Sequence, residues 1–357
     1  MSLLFDETMK PESALHGPSV AVDPVFEIYR TRPWKDWAAE LRNRGFTMVN
    51  LILVKWFPIE EQRAMVGAFH DAGLAVALRI YPTTDFEAYE RHPEWRQISL
   101  DGTSSHSWRV YLCPNAKGFA ASMRERVRDL VGAVEYDAIE LAEPWFEVWG
   151  GPYPENPTCG KYACLCENCR GRFLSEQGFD PAALFPEGGP NEFQKPENAG
   201  RYMLWQDFRV NSILDFSGIL FLAAREARPE IQTVHMHLAD CTVEPDRGRE
   251  YQAQDLEAAL MRLRPDMLII EDAWQDWTRP ELTPDFVEAY GNAYVTRARR
   301  IVKDIIIKAH ADIGSIPEMR RDTQWMGRFS HHARRSGFDA TVFYEYTLGN
   351  WGKKGGA

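Results

Sequence analysis

Four of the chain's six cysteines lie between Cys159 and Cys169, spaced Cys159-x4-Cys164-x-Cys166-x2-Cys169. Thiolates this close complete a tetrahedral Zn(II) shell, because soft sulfur ligands at about 2.3 Å need only a short knuckle of chain to converge on one ion. The expected cofactor is one structural Zn(II) held by Cys159, Cys164, Cys166 and Cys169. Cys113, in Leu112-Cys113-Pro114-Asn115, is the reserve fourth ligand. Four ordinary thiols, or a disulfide pair, are the alternatives. The opening residues MSLLFDETMK lack the apolar run of a signal peptide, so the expected compartment is cytoplasmic, where thiols stay reduced. A redox Cys-x-x-Cys is the weaker reading, since two further cysteines crowd the motif and it does not open a βαβ unit.

A second chemistry is written in carboxylates that close aliphatic runs beside aromatic residues. Convergent carboxyls flanked by Trp and Tyr suit glycoside hydrolysis, in which one protonates the leaving oxygen while another attacks the anomeric carbon or activates water. Glu143 is the expected general acid, because Pro144 and Trp145 supply an apolar wall that raises a carboxyl pKa. Its expected partner is Asp272, a short carboxylate before Ala273-Trp274 able to aim back across the site. Glu271 points the other way along an extended strand, and Glu345 is the reserve. Candidate substrate contacts are Trp56, Arg79, Tyr81, Arg109, Asn115, Trp145, His235, His237, Trp274, Lys308 and His310. Trp108, Trp149, Trp277 and Trp351, with Asp240 and Asp312, fall at or beyond the same run ends.

These residues need a scaffold that brings run ends together. Eight short runs alternate with segments of helical period: Val25 to Tyr29, Met48 to Val54, Leu74 to Tyr81, Ala138 to Glu143, Thr233 to Leu238, Met267 to Glu271, Ile305 to His310, and Thr341 to Tyr346. Helices are expected over Trp34 to Arg44, Ile59 to Ala72, Phe119 to Val134, Gln206 to Arg228, Gln254 to Arg264, Pro284 to Ile301 and Ile316 to Ser336. Gly45, Gly73 and Gly337 stand where left-handed helix stops are wanted. Eight βα units predict one α/β domain over 1–357, a (β/α)8 TIM barrel with its chemistry at the C-terminal strand ends. An open doubly wound sheet would need a Gly-rich loop after its first strand. The chain has Tyr29-Arg30-Thr31-Arg32-Pro33 there. The connection after strand four is too long for an ordinary βα loop, and predicts an inserted zinc-knuckle subdomain over 144–201. A second long connection, Pro82 to Lys117, covers the same face.

With Glu143-Pro144-Trp145, the run Cys164-Leu165-Cys166-Glu167-Asn168-Cys169-Arg170 and Leu112-Cys113-Pro114-Asn115 in view, the middle third of the chain resembles the glycoside hydrolase-type (β/α)8 barrels. In particular it resembles the family 42 β-galactosidases and related uncharacterised glycosidase-like barrels. There a Cys-x-Cys-x2-Cys knuckle with a more distant Cys binds zinc after the acid-bearing strand, and the resemblance implies that fold, a structural zinc and a carbohydrate site. Two departures are visible. Ala142 stands where that clan carries Asn before its strand-four acid, and strand seven, which holds its nucleophile, offers His310 and Asp312 but no Glu. Acids on strands four and six are similar to the α-galactosidase type of barrel.

Composition sets the outer limits. With 45% hydrophobic and 26% charged residues the chain is that of a globular protein with ample core material. A formal net charge of −11 argues against nucleic acid or an anionic membrane as partner. The expected partner is a small carbohydrate, and whether the chain forms a homo-oligomer is not written in the sequence. Two other functions fit the same residues. One is a divalent-metal-dependent sugar isomerase, epimerase or lyase using Glu143, His235 or His237, Glu271 or Asp272, His310 and Glu345 as ligands, with Lys308 a Schiff-base candidate on an aldolase reading. The other is a non-catalytic carbohydrate-binding barrel.

Overall fold

The aliphatic runs pair as eight parallel strands in sequence order: β1 (Ser19–Val22), β2 (Met48–Ile52), β3 (Ala75–Ile80), β4 (Ala138–Leu141), β5 (Gln232–Leu238), β6 (Met267–Glu271), β7 (Ile306–Asp312) and β8 (Ala340–Tyr344). β8 returns to β1 through Ser19↔Val342 and Val20↔Phe343, which closes the barrel. The computed structural model describes residues 13–107, 109–147, 162–185, 196–239 and 247–352. The (β/α)8 expectation is met, with one strand displaced. Val25 to Tyr29 is not β1: the Asp23 side chain accepts from the Val25 amide in a tight turn, and Glu27–Thr31 winds as a 3₁₀ turn that buries Tyr29. Pro24, which cannot donate to a ladder, ends the strand early.

Alternation along the strands sorts side chains into two cores. Ala21, Met48, Ala77, Ala138, Val234, Met236, Met267, Ile269 and Val342 fill the barrel interior. Their strand neighbours, such as Val49, Leu78, Ile139, Leu268, Ile270 and Phe343, pack outward beneath the helices. The outer ring consists of Trp34–Asn43, Ile59–Asp71, Lys117–Ala133, Ala199–Ala227, Leu256–Leu263, a helical run from Pro284 to Ile301, and Thr323–Arg335. Gly45, Gly73 and Gly337 have φ of 94°, 74° and 93°, left-handed stops that a side chain would strain. After β4, the Glu167–Gln177 helix docks on the long Ala199–Ala227 helix through Phe173, whose ring meets Trp205 and Phe208 edge-on at 5.2 Å each. No helix among the described residues is long and apolar enough to cross a membrane.

Polar residues inside the barrel are neutralised in pairs. Arg79 Nε lies 2.7 Å from Glu140 Oε1 with both side chains buried, and Asn50 Nδ2 donates to the other Glu140 oxygen at 2.6 Å. Lys308 lies at the opposite end from the strand C-termini: its Nζ donates to the Gly17 carbonyl at 2.9 Å and touches Met48 Sδ. That corrects both expectations for Lys308, as substrate contact and as Schiff-base nucleophile, since the mouth is at the other end of β7. Burial pulls Lys308 down to about 7, because the charged form loses its hydration. The folded chain therefore holds fewer protons than the unfolded one between about pH 7 and pH 10.5. The penalty is full below that window and gone above it. Lys308→Met is expected to raise Tm at pH 6, by a contribution on the order of a few kcal/mol, with the gain shrinking towards pH 10. Thermal melts of both proteins across that range check it; a gain independent of pH refutes the cause.

Candidate active site and cysteine cluster

The mouth is built where inward-facing positions of β3, β4, β6, β7 and β8 run out. Glu143 follows β4 with φ 48°, a conformation sparsely populated without glycine and often found at functional sites. Two contacts hold it there. Trp145 N donates to the Glu143 carbonyl at 2.9 Å, and Arg109 reaches in from the connection after β3 to grip both the carboxylate and, at 3.1 Å, the same carbonyl. Arg109 is itself fixed by Thr84 Oγ1 at 3.0 Å and sits over the rings of Tyr81 and Tyr111 at 4.9 and 4.6 Å. Burial raises the Glu143 pKa, while Arg109 and then Arg79 work against the rise by favouring the carboxylate.

On β6 the interior cluster decides which acid faces the axis. Met267 and Ile269 are interior and Leu268 and Ile270 are outward, so Glu271 continues the inward series. Its Oε2 is buried without a hydrogen-bond partner. Burial, then the negative charge of Glu143, then Asp272, push Glu271 well above the usual carboxyl range. Asp272, expected in the pocket, instead turns to β7: its oxygens take His310 Nδ1 at 2.7 Å and the Asp312 amide at 2.9 Å. Burial lifts Asp272 to about 8 and lowers His310 to about 3, so near neutral pH the contact joins a carboxylic acid to a neutral imidazole. The twist at the strand end re-aims the residue that alternation alone would send to the helices.

Glu345 is consumed by structure. Asp23 N and the Tyr29 hydroxyl donate to Oε1, and Thr347 N and Oγ1 donate to Oε2 at 2.8 and 2.6 Å, which caps the Tyr346–Leu348 turn. With its lone pairs taken, it is not presented to the mouth as a reserve catalyst. His235 and His237 share one side of β5, as the alternation requires, but that side is opposite interior Val234 and Met236. His237 packs at a tilt against Tyr294 of the outer ring, with centroids 5.7 Å apart. Trp56 is also in the helix layer, beneath Arg126 and donating to Asp85. Trp145 is buried beside Arg109, Tyr81 lines the interior, and Trp274 stands exposed at the end of β6. Tyr344, not singled out from sequence, faces inward from β8 beside His310. Its signal was the same two-residue alternation. Trp108, Trp149 and Asp240 lie outside the described residues.

The cysteines converge differently from their sequence order. Sγ atoms of Cys113, Cys164, Cys166 and Cys169 lie within 4.8 Å of one another, all buried, and Cys113 Sγ is 3.4 Å from Cys169 Sγ. None of the four is in a disulfide. Tetrahedral Zn–S bonds of about 2.3 Å imply S···S edges of roughly 3.8 Å, so four such thiols fit one zinc ion. Cys113 comes from the connection after β3, far from the knuckle in sequence, and takes the place expected for Cys159, which lies outside the described residues. Asn115, expected to meet substrate, is a support of this cluster: its Nδ2 reaches Cys169 Sγ at 3.2 Å and Ser212 Oγ at 2.9 Å, and its Oδ1 accepts from Arg172 at 2.7 Å. Among the described residues no mixed carboxylate and imidazole group converges in the same way.

The fold these elements define is a closed (β/α)8 barrel, shared with solved structures of several glycoside hydrolases. No protein-family model and no curated protein sequence matches the chain. Among solved structures it is similar to a β-galactosidase from the Antarctic haloarchaeon Halorubrum lacusprofundi, at 15% identity and TM-score 0.65 over 92% of this chain and 52% of that one. The GH42 β-galactosidase Gan42B of G. stearothermophilus gives 13% identity and TM-score 0.64 over 93% and 51%. The PgaB (BpsB) glycoside hydrolase domain of Bordetella bronchiseptica gives 13% and 0.65 over 92% and 93%. The chain thus spans about half the length of the two β-galactosidases.

Proposed function

We propose that the chain is a glycoside hydrolase acting on a small glycoside or oligosaccharide, with Glu271 as general acid and Glu143 as the ionised carboxylate that attacks the anomeric carbon or activates water. The observation that carries this reading is the contrast between two carboxyls at one mouth. Both carboxyls are withdrawn from water, but Glu143 is gripped by a guanidinium, whereas half-buried Glu271 has an enclosed Oε2 without a hydrogen-bond partner and is close enough to feel the Glu143 charge. Two titratable groups pushed apart by their surroundings divide into acid and base. This differs from the expectation of Glu143 as acid with Asp272 as its partner, because Arg109 favours the ionised form of Glu143 and Glu271 takes the inward position on β6.

Tyr81, Tyr344 and the Arg79–Glu140 pair form the floor against which a sugar ring would lie. Trp274 offers an apolar face at the rim. Zn(II) bound by Cys113, Cys164, Cys166 and Cys169 would supply a structural clamp between the connections that follow β3 and β4, making 144–201 a zinc-held insertion. The divalent-metal isomerase or lyase reading has less support, since His235 and His237 face the helices and Glu345 is saturated. The names of the structural neighbours make β-galactosides the first substrates to try. Hydrolysis of an aryl glycoside that persists after dialysis against a chelator is the expected result. Activity lost on dialysis and restored by added Mn(II) or Mg(II), with the cysteine zinc retained throughout, would instead favour the metal-dependent isomerase or lyase.

A further inference from the structure

The Trp34–Asn43 helix, the loop after β7 and the segment of the Tyr346–Leu348 turn flank a cleft of about 510 Å³. Its charged lining residues are Arg32, Arg44, Arg320 and Glu40. Glu40 bridges two of the arginines, with Oε2 2.5 Å from Arg32 Nη2 and Oε1 3.3 Å from Arg44 Nη2. Arg44 Nε donates to the Tyr346 hydroxyl at 2.6 Å. Arg320, on the loop after β7, donates to the Thr347 and Leu348 carbonyls at 2.9 and 2.5 Å. Aromatic faces back the forks: Arg32 lies 3.4 Å over Trp37 and Arg44 5.0 Å over Trp351. Arg44 and Arg320 are therefore fixed along their Nε–Nη2 edges and Arg32 through Nη2, while Nη1 of all three has no acceptor among the described residues.

We propose that this cleft binds a phosphoryl dianion, either free phosphate or the phosphate of a small monoester. Three guanidinium charges against one carboxylate leave two positive charges uncompensated, in a chain whose net charge is −11. A dianion matches that excess. Planar forks held by their far edges present donors without further ordering cost, which is the arrangement that favours bidentate phosphate over a single point contact. Stacking on Trp37 and Trp351 limits the rotamers the arginines would otherwise lose on binding. The cleft is separate from the mouth, since neither Glu143 nor Glu271 lines it.

Calorimetric titration of the full chain with inorganic phosphate at low salt, where screening is weak, tests the proposal. Saturable one-to-one binding at or below about 1 mM is expected, with acetate much weaker. Arg32→Gln and Arg44→Gln should each weaken it about tenfold or more, the worth of a charged hydrogen bond. Arg32→Gln removes one surface ion pair and one contact over Trp37, and circular dichroism verifies that the variant is folded. Glu143→Gln should leave phosphate binding unchanged. Glucose 6-phosphate binding more tightly than phosphate, with glucose silent, identifies a phosphate ester as the ligand; equal affinity identifies free phosphate. No saturable binding, a preference for acetate, or binding that survives both arginine variants overturns the proposal, and loss of binding in Glu143→Gln alone would place the anion in the mouth.

Discussion

Glu271→Gln is expected to lower kcat on a glycoside with a poor leaving group by about 10²- to 10⁴-fold, the usual contribution of general acid catalysis, and to lower it far less on an aryl glycoside whose leaving group needs no proton. Glu143→Gln should be comparably slow on both substrates, because an amide neither attacks nor activates water. The dependence on leaving group separates the roles, since misfolding would slow every substrate alike. The pH profile follows from the same surroundings. Activity requires Glu271 protonated and Glu143 ionised, so it falls as pH rises through the elevated Glu271 pKa and falls again as acid protonates Glu143. Glu271→Gln should remove the alkaline limb on the aryl substrate. Asp272→Asn, which disturbs the His310 contact and the Asp312 amide, should cost less than Glu271→Gln. The opposite order would restore Asp272 as the acid, and full activity in both would take β6 out of the mechanism.

The second large effect concerns the thiols. About one zinc per chain is expected in protein purified without added metal, and Cys166→Ser should release it and lower Tm by many degrees. Structural zinc in small domains is worth about 10–16 kcal/mol of apparent binding energy, and here the clamp joins two long connections instead of a whole fold. Cys113→Ser should behave like Cys166→Ser, whereas Cys159→Ser should keep its zinc. Elemental analysis and thermal melts of the three variants decide the ligand set. Zinc kept by Cys113→Ser and lost by Cys159→Ser would reverse the assignment, and four freely titrating thiols without metal in the wild-type chain would dismiss it.

Much of this molecule is determined by local pattern. The short aliphatic runs placed seven of eight strands within a few residues, because parallel barrel strands are buried on both faces and read as near-continuous apolar stretches. Gly45, Gly73 and Gly337 marked real helix stops, since left-handed backbone discriminates against side chains without reference to the rest of the fold. The cluster of Cys164, Cys166 and Cys169 was legible for the same reason: their spacing is set within one knuckle.

What the tertiary structure alone decided are the choices between residues of equal local merit. Leu268 and Ile270 are as apolar as Met267 and Ile269, so only barrel closure shows that Glu271 follows the inward series. Cys113 and Cys159 are both cysteines at plausible reach, and the docking of the connection after β3 against the knuckle brings Cys113 to Cys164, Cys166 and Cys169. His235 and His237 alternate correctly, yet which side of β5 faces the axis depends on its register with β4 and β6. The proposed division of roles between Glu143 and Glu271 rests on Arg109, 34 residues away along the chain from Glu143. A carboxyl's chemistry is set by the charges and solvent that the fold brings to it, and those arrive from segments that no window of sequence contains.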